Sequence, residues 1–195
     1  LFNKKTILYL MNIIDIGSHN GKTKSPTYHY LSKDGYQVYH IEPNPYLHEC
    51  LEKHNSILIK NAVSDFNGTA KFYFDKRGFN NRRSPVNYKT GMRCSLEKDN
   101  DYINSFLTDD YVDVTVKTLD TIIKENNIDC IHLLKIDTEG CDYKILKAYS
   151  FDIKPKFILT EDFIETNEKK WELLKNNGYT LVYKNSSNSK FILKK

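Results

Sequence analysis

Little in this chain marks it for a membrane or for the cell exterior. No apolar run approaches the roughly 20 residues that a bilayer-spanning helix needs. Residues 1–14 carry no cleavage-site pattern, and their apolar part runs into Asp15, so they do not read as a signal peptide. Cysteine is scarce. Cys50, Cys94, Cys130 and Cys141 have neither the spacing of a metal-type pair nor that of a disulfide-stapled secreted domain. That pattern points to a reducing compartment, the cytoplasm. The net charge of +4 is too mild to demand a polyanionic partner. There is no internal repeat and no interdomain linker, so residues 1–195 read as one domain, which can belong to a longer polypeptide because the chain starts at Leu1. Hydrophobic residues at 39% and aromatics at 13% exclude a disordered chain.

Two nucleotide signatures are missing as well. Gly17-Ser18-His19-Asn20-Gly21-Lys22-Thr23 resembles a phosphate loop but has three residues between its glycines, where that loop needs four. Asp15 would also set negative charge beside the phosphates. The Gly-x-Gly-x-x-Gly dinucleotide fingerprint is absent, because Ser18, His19 and Asn20 fill the middle.

What is present is a set of strands that end in acids. Residues 6–16 are apolar and β-branched, with a strand expected from about Met11, and run into Asp15 and the Gly17–Gly21 turn. The stretch from Gln37 to Ile41 ends in Glu42, and the stretch from Ile131 to Ile136 ends in Asp137 and Glu139. Helices are expected over 20–32, 45–54, 119–126, 140–149 and 166–176, with Tyr143, Leu146 and Ala148 facing the core from the fourth. Strands are expected over 56–60, 69–74, 112–116 and 156–159. A terminal hairpin is expected over 179–183 and 190–193. The β-α-β-α-β order predicts an α/β fold with a mainly parallel, doubly wound sheet and a C-terminal antiparallel hairpin. Strands 69–74 and 112–116 read as an antiparallel addition. Residues 75–110 read as a long insertion, the length of a substrate loop.

Acids at adjacent strand ends suit a nucleoside-bearing cofactor in the crevice there. Glycine lets the backbone approach such a ligand. The spacing from the glycine turn fits Glu42 to the ribose hydroxyls. Asp65 could reach the adenine amino group, and a turn-forming Ser64-Asp65 accounts for it equally. From Lys76 to Arg93 the charge is all positive, through Arg77, Arg82, Arg83 and Lys89. Such a run could clamp a phosphate of a nucleotide-linked sugar or of RNA, or could simply be solvated.

In order, Asp15-Ile16-Gly17-Ser18-His19-Asn20-Gly21, Ile41-Glu42-Pro43-Asn44-Pro45, Asn61-Ala62-Val63-Ser64-Asp65, Ser95-Leu96, Thr118-Leu119-Asp120 and Leu134-Lys135-Ile136-Asp137-Thr138-Glu139-Gly140 resemble the FkbM-type S-adenosylmethionine-dependent O-methyltransferases. The resemblance covers roughly residues 12–165, departs at His19, and within 75–110 rests on Ser95-Leu96 alone. It implies a Rossmann-like methyltransferase fold. It also implies that Gly17, Asn20 and the Gly21 turn lie against the methionine part of the cofactor with Asp15 nearby, Glu42 at the ribose, and Ser64 and Asp65 at the adenine. Asp137 and Glu139 would stand where cofactor and substrate meet. By analogy with sugar O-methyltransferases of similar architecture, Asp137, Glu161 and Asp162 would bind Mg²⁺ or Mn²⁺ and Glu139 would be the base. Glu161 and Asp162 serve equally well as caps of the next helix. The expected activity is methyl transfer to a sugar hydroxyl of a glycan or nucleotide-linked precursor. An RNA methyltransferase using the 76–93 loop and a cofactor-binding scaffold without turnover are the alternatives.

Overall fold

The computed structural model describes residues 10–77, 88–163 and 166–194. Two sheets organise them. Strands β1 (Met11–Ile16), β2 (Tyr36–Ile41) and β3 (Ile57–Ile59) alternate with helix α1 (Pro45–Leu51). A second, three-stranded sheet follows from β4 (Ala62–Val63), β5 (Gly68–Asp75) and β6 (Leu107–Lys117), with helix α2 (Asp101–Asn104) before β6. The first sheet resumes with α3 (Leu119–Glu125), β7 (Leu133–Ile136), α4 (Asp142–Ala148), β8 (Phe157–Glu161), α5 (Asn167–Asn176), β9 (Tyr179–Lys184) and β10 (Asn188–Leu193).

The large sheet has the order β3-β2-β1-β7-β8-β10-β9. Its first five strands are parallel, and β10 runs antiparallel to both β8 and β9. The chain winds outward from β1 to β3 and then returns to place β7 on the other side of β1. That reversal opens a crevice at the carboxyl ends of β1 and β7, where α/β sheets bind ligands. No helix among the described residues is long and apolar enough to cross a membrane.

Period-two alternation sorts each central strand between two faces. Ile14, Ile16, Ile41, Leu134 and Ile136 pack under α3 and α4 in the main core. Ile13, Val38 and Leu133 form a smaller cluster on the opposite face with Tyr30 and Tyr36. On that second face the next residues of the same parity are Asp15, His40 and Lys135. An apolar layer therefore gives way to an ionisable one at the strand ends.

The segment covering this face is not the helix expected over 20–32. It is a series of turns with a single 3₁₀ turn at Tyr28–Tyr30. Local side-chain chemistry explains the difference. The Asn20 carboxamide oxygen accepts the amides of Lys22 and Thr23. Lys24 takes a positive φ, and Pro26 offers no N–H. Ser25 and Thr27 turn their hydroxyls inward to Asp15. Helix α4 also starts later than the spacing predicts, because Glu139 and Gly140 both have positive φ. Its core face is Ile145 and Leu146, with Asp142 buried beside them and Ala148 exposed. Strand β4 was not expected. The antiparallel pairing of β5 with β6 was, and it closes a small core of Phe72, Phe74, Val114 and Val116. Asn44 caps α1 and Thr118 caps α3 through their side chains.

Gly17 has φ +69°, and a Cβ built there would lie 1.9 Å from the Asp137 carbonyl oxygen. The β1 and β7 turns are in backbone contact, which no larger residue allows. Gly17→Ala should therefore destabilise the protein by about 3 kcal/mol or more, combining φ strain with a backbone clash. Thermal melting checks this, with a midpoint lowered by roughly 10 °C expected and a shift under about 2 °C contradicting the close approach.

Candidate active site

A cleft opens over the ends of β1, β2 and β7. Its walls include Gly17 and His19 after β1, Glu42 and Asn44 after β2, Asn61 to Val63, and Asp137 to Glu139 after β7. Ile41, Leu47, Phe72 and Leu96 make it largely apolar, and it encloses about 540 Å³ of empty space open to solvent.

Glu42 is the polar anchor of this cleft. It is 4% exposed, and its two oxygens accept the amides of His19 (2.7 Å) and Asn44 (3.0 Å). Burial pushes its pKa up to about 7, against the lowering pull of those two amides. A carboxylate has about four lone-pair sites, so two remain for donors from a ligand. The native protein keeps the Glu42 proton between about pH 4.5 and 7, where the unfolded chain has lost it. Stability therefore falls as pH rises through that window, by about 3 kcal/mol in all.

Beneath the cleft runs a row of ionisable groups at matched register, His40 of β2, Asp15 of β1 and Lys135 of β7. Asp15 is fully buried. Its carboxylate meets the Lys135 ammonium at 3.0 Å, lies 3.8 Å from His40 Nδ1 and accepts the Thr27 hydroxyl. It is not among the residues lining the cleft and lies beneath it, paired with Lys135. Burial works to lower the Lys135 pKa, but Asp15 and Asp137 outweigh it and hold the ammonium protonated. Lys135 also donates to the Gly17 carbonyl (2.7 Å) and lies 3.4 Å from Asp137. The sequence reading passed over Lys135. The available signal was a lysine inside an apolar central strand, which is seldom buried without a partner.

Past the strand ends, Asp137, Glu139 and Glu161 bring carboxylate oxygens within 4.8 Å of one another. Glu139 is aimed by its turn, with φ +52°, and the Ser95 hydroxyl donates to its carbonyl (2.7 Å). The buried carboxylate of Asp142 fastens the base. One oxygen accepts the amide and hydroxyl of Thr138, and the other accepts the Thr160 hydroxyl and the Glu161 amide. Asp142 was also missed. An acid in the first turn of a predicted helix, three residues past Glu139, was its signal. Burial raises the pKa of Asp137, Glu139 and Glu161, and each is raised further by neighbouring acids. Lys135 opposes the rise at Asp137, and Arg93 opposes it at Glu139. Glu161 Oε2 is buried without a hydrogen-bond partner among the described residues. Such a cluster can hold a proton at neutral pH, take one from a substrate, or bind a cation.

Asp162 does not join it. Its carboxylate accepts the Ser189 hydroxyl (2.7 Å) and lies 3.7 Å from the buried Lys170 ammonium. Of the expected set, Asp137 and Glu161 come together, with Glu139 as their third neighbour, and Asp162 stands apart. The other expected positions have the following surroundings. The Asn20 side chain is engaged within its own turn, where it also donates to Thr23. Gly21 is buried, and a Cβ there would strike Leu51 and the His40 ring. Ser64 is buried and donates to Asp65, which is exposed, and Asn61 to Val63 line the cleft in their place. Of the motif Thr118-Leu119-Asp120, Thr118 caps a helix, Leu119 is core, and Asp120 accepts from Ser150.

A wider groove meets the cleft at the acids. Arg93, Tyr102, Phe106 and Lys184 border it together with Glu139 and Glu161. From the basic run, the Arg93 guanidinium stacks 4.0 Å from the Phe106 ring centre and lies 3.6 Å from Asp75, while Lys89 covers Tyr46. Arg82 and Arg83 lie outside the described residues.

No curated protein matches the chain. Among solved structures, methyltransferase FkbM from Methylobacillus flagellatus KT is similar in fold, with a TM-score of 0.53 and 13% identity over 94% of this chain. The match spans 43% of that protein, so this chain corresponds to less than half its length. Precorrin-6y C5,15-methyltransferase from Geobacter metallireducens GS-15 aligns with a TM-score of 0.48 and 13% identity, over 96% of this chain and 83% of its own. The family described as the methyltransferase FkbM domain matches residues 15–181, from the end of β1 into β9, and the chain belongs to that family of methyltransferases.

Proposed function

We propose that the domain binds S-adenosylmethionine in the cleft of Gly17 and Glu42 and transfers its methyl group to a hydroxyl oxygen. The acceptor we infer is a sugar hydroxyl, on a glycan or a nucleotide-linked sugar, and the setting is the cytoplasm. One observation supports the reading most. Glu139 borders both the narrow cleft and the wide groove, so a base stands where two ligands would meet.

The residues fit the cofactor. The spare lone pairs of Glu42 suit the two hydroxyls of a ribose, and Ile41, Leu47 and Phe72 give a base an apolar slot. The Gly17 turn leaves room for close approach. Bound there, the cofactor supplies a methyl group on a sulfonium, a good leaving group. The protein has then to align the acceptor and take its proton. Glu139 is placed to accept that proton, and its raised pKa matches it to work near neutrality. Beside it, the Asp137 and Glu161 carboxylates suit a hard cation such as Mg²⁺ or Mn²⁺. The engagement of Lys89 and Arg93 with aromatic rings and Asp75 favours a sugar over RNA.

Cofactor affinity should weaken by up to about tenfold per pH unit below about 7, because a ribose diol donates best to ionised Glu42. Equilibrium titration from about pH 6 to 8 checks this, and flat affinity removes Glu42 from the ribose site. Glu139→Gln should keep cofactor binding and lower turnover by at least about 100-fold, the usual worth of a general base. A fully active variant would end its assignment as the base. Chelator should stop turnover and Mg²⁺ or Mn²⁺ restore it, whereas indifference to chelator discards the cation.

A further inference from the structure

The buried row beneath the site contains a lysine that none of the steps above uses. Lys135 has a side chain 7% exposed, in the middle of a central strand. Desolvating an ammonium costs several kcal/mol unless it is paired. Asp15 alone, at 3.0 Å, would suffice as its counter-ion. The side chain nevertheless reaches further. It extends past Asp15 to the end of the sheet and donates to the Gly17 carbonyl at 2.7 Å. It also stands 3.4 Å from the Asp137 carboxylate. Gly17 closes the β1 turn that forms the cleft floor, and Asp137 opens the β7 turn that carries Glu139. One ammonium thus bridges two turns from different strands.

We infer that Lys135 is a positioning residue, whose bonds to the Gly17 carbonyl and to Asp137 hold the cofactor turn and the carboxylate turn in register. Three features agree. The backbone contact between Gly17 and Asp137 leaves no slack, so a small rotation of either turn would misplace both. The Thr27 hydroxyl fixes Asp15 from the far side, so the strut rests on an anchored base. Carboxylates of Asp15 and Asp137 flank the Lys135 ammonium at 3.0 and 3.4 Å, so the lysine does not present a bare positive charge to a sulfonium. The inference rests on the cofactor reading above.

The bland account is that Lys135 only neutralises Asp15. A paired replacement separates the two. Lys135→Met alone leaves Asp15 buried and uncompensated, and should destabilise the protein under either account. Asp15→Asn with Lys135→Met removes both charges, leaves the local net charge unchanged and keeps an acceptor for Thr27. The measurements are the melting midpoint and calorimetric affinity for S-adenosylhomocysteine, with wild type alongside. If Lys135 positions the turns, the double variant recovers most of the melting midpoint but binds at least about tenfold more weakly than wild type, the scale of one lost charge-assisted hydrogen bond. Affinity within about twofold of wild type in a recovered double variant would overturn the inference, since a counter-ion role alone predicts that recovery. A double variant that does not fold would also overturn it, by assigning the pair to the core. If wild type itself does not bind the probe, the cofactor reading fails rather than this one.

Discussion

The contact between Asp15 and Lys135 is the constraint on which the site depends. The two residues are register partners on β1 and β7, the strands that flank the reversal of winding order. They lie on the face where Ile13 and Leu133 form the apolar layer one step earlier. Ionic residues can continue that layer only because they are paired. Pairing them lines the bottom of the crevice with fixed, mutually compensated charge. The 20–32 segment is drawn into the same arrangement, since Ser25 and Thr27 direct their hydroxyls at Asp15 and forgo a helix.

From that floor the site is built by turns rather than helices. Positive φ at Gly17, Glu139 and Gly140 bends both strand ends sharply. Asp142 then ties the β7 and β8 ends together, which brings Glu161 against Asp137 and Glu139. Three carboxylates held this close repel one another, and the buried Asp142 beneath adds to the repulsion. Their pKa values rise for that reason after burial itself. A proton, a cation or an approaching sulfonium each relieves the repulsion. The strain of assembling the acids is thus coupled to the chemistry proposed for them.

Much of this was legible in the sequence. β-branched runs gave β1, β2 and β7, and the acids at their ends marked the crevice. The hairpin of β9 and β10 followed from its Asn/Ser loop. The misreadings have physical causes. The 20–32 segment has the apolar spacing of a helix, but Asn20 and Pro26 decide its backbone locally. Asp162 was grouped with Glu161, yet neighbours at a strand end point to opposite faces. Asp137 and Glu139 come together through the positive-φ turn after β7, which alternation along a strand does not foretell. Strand β4 has two residues and leaves no periodic trace. Lys135 and Asp142 act only through partners distant in sequence, so their roles needed the fold.

The central claim is that the cleft of Gly17 and Glu42 takes an adenosyl sulfonium cofactor. Calorimetric titration with S-adenosylmethionine and S-adenosylhomocysteine, with NAD and ATP as controls, tests it most directly. The account predicts micromolar-range binding of the adenosyl pair, on the order of 8 kcal/mol, and none of the controls. Tighter binding of NAD or ATP, or no binding of the adenosyl pair, would contradict it.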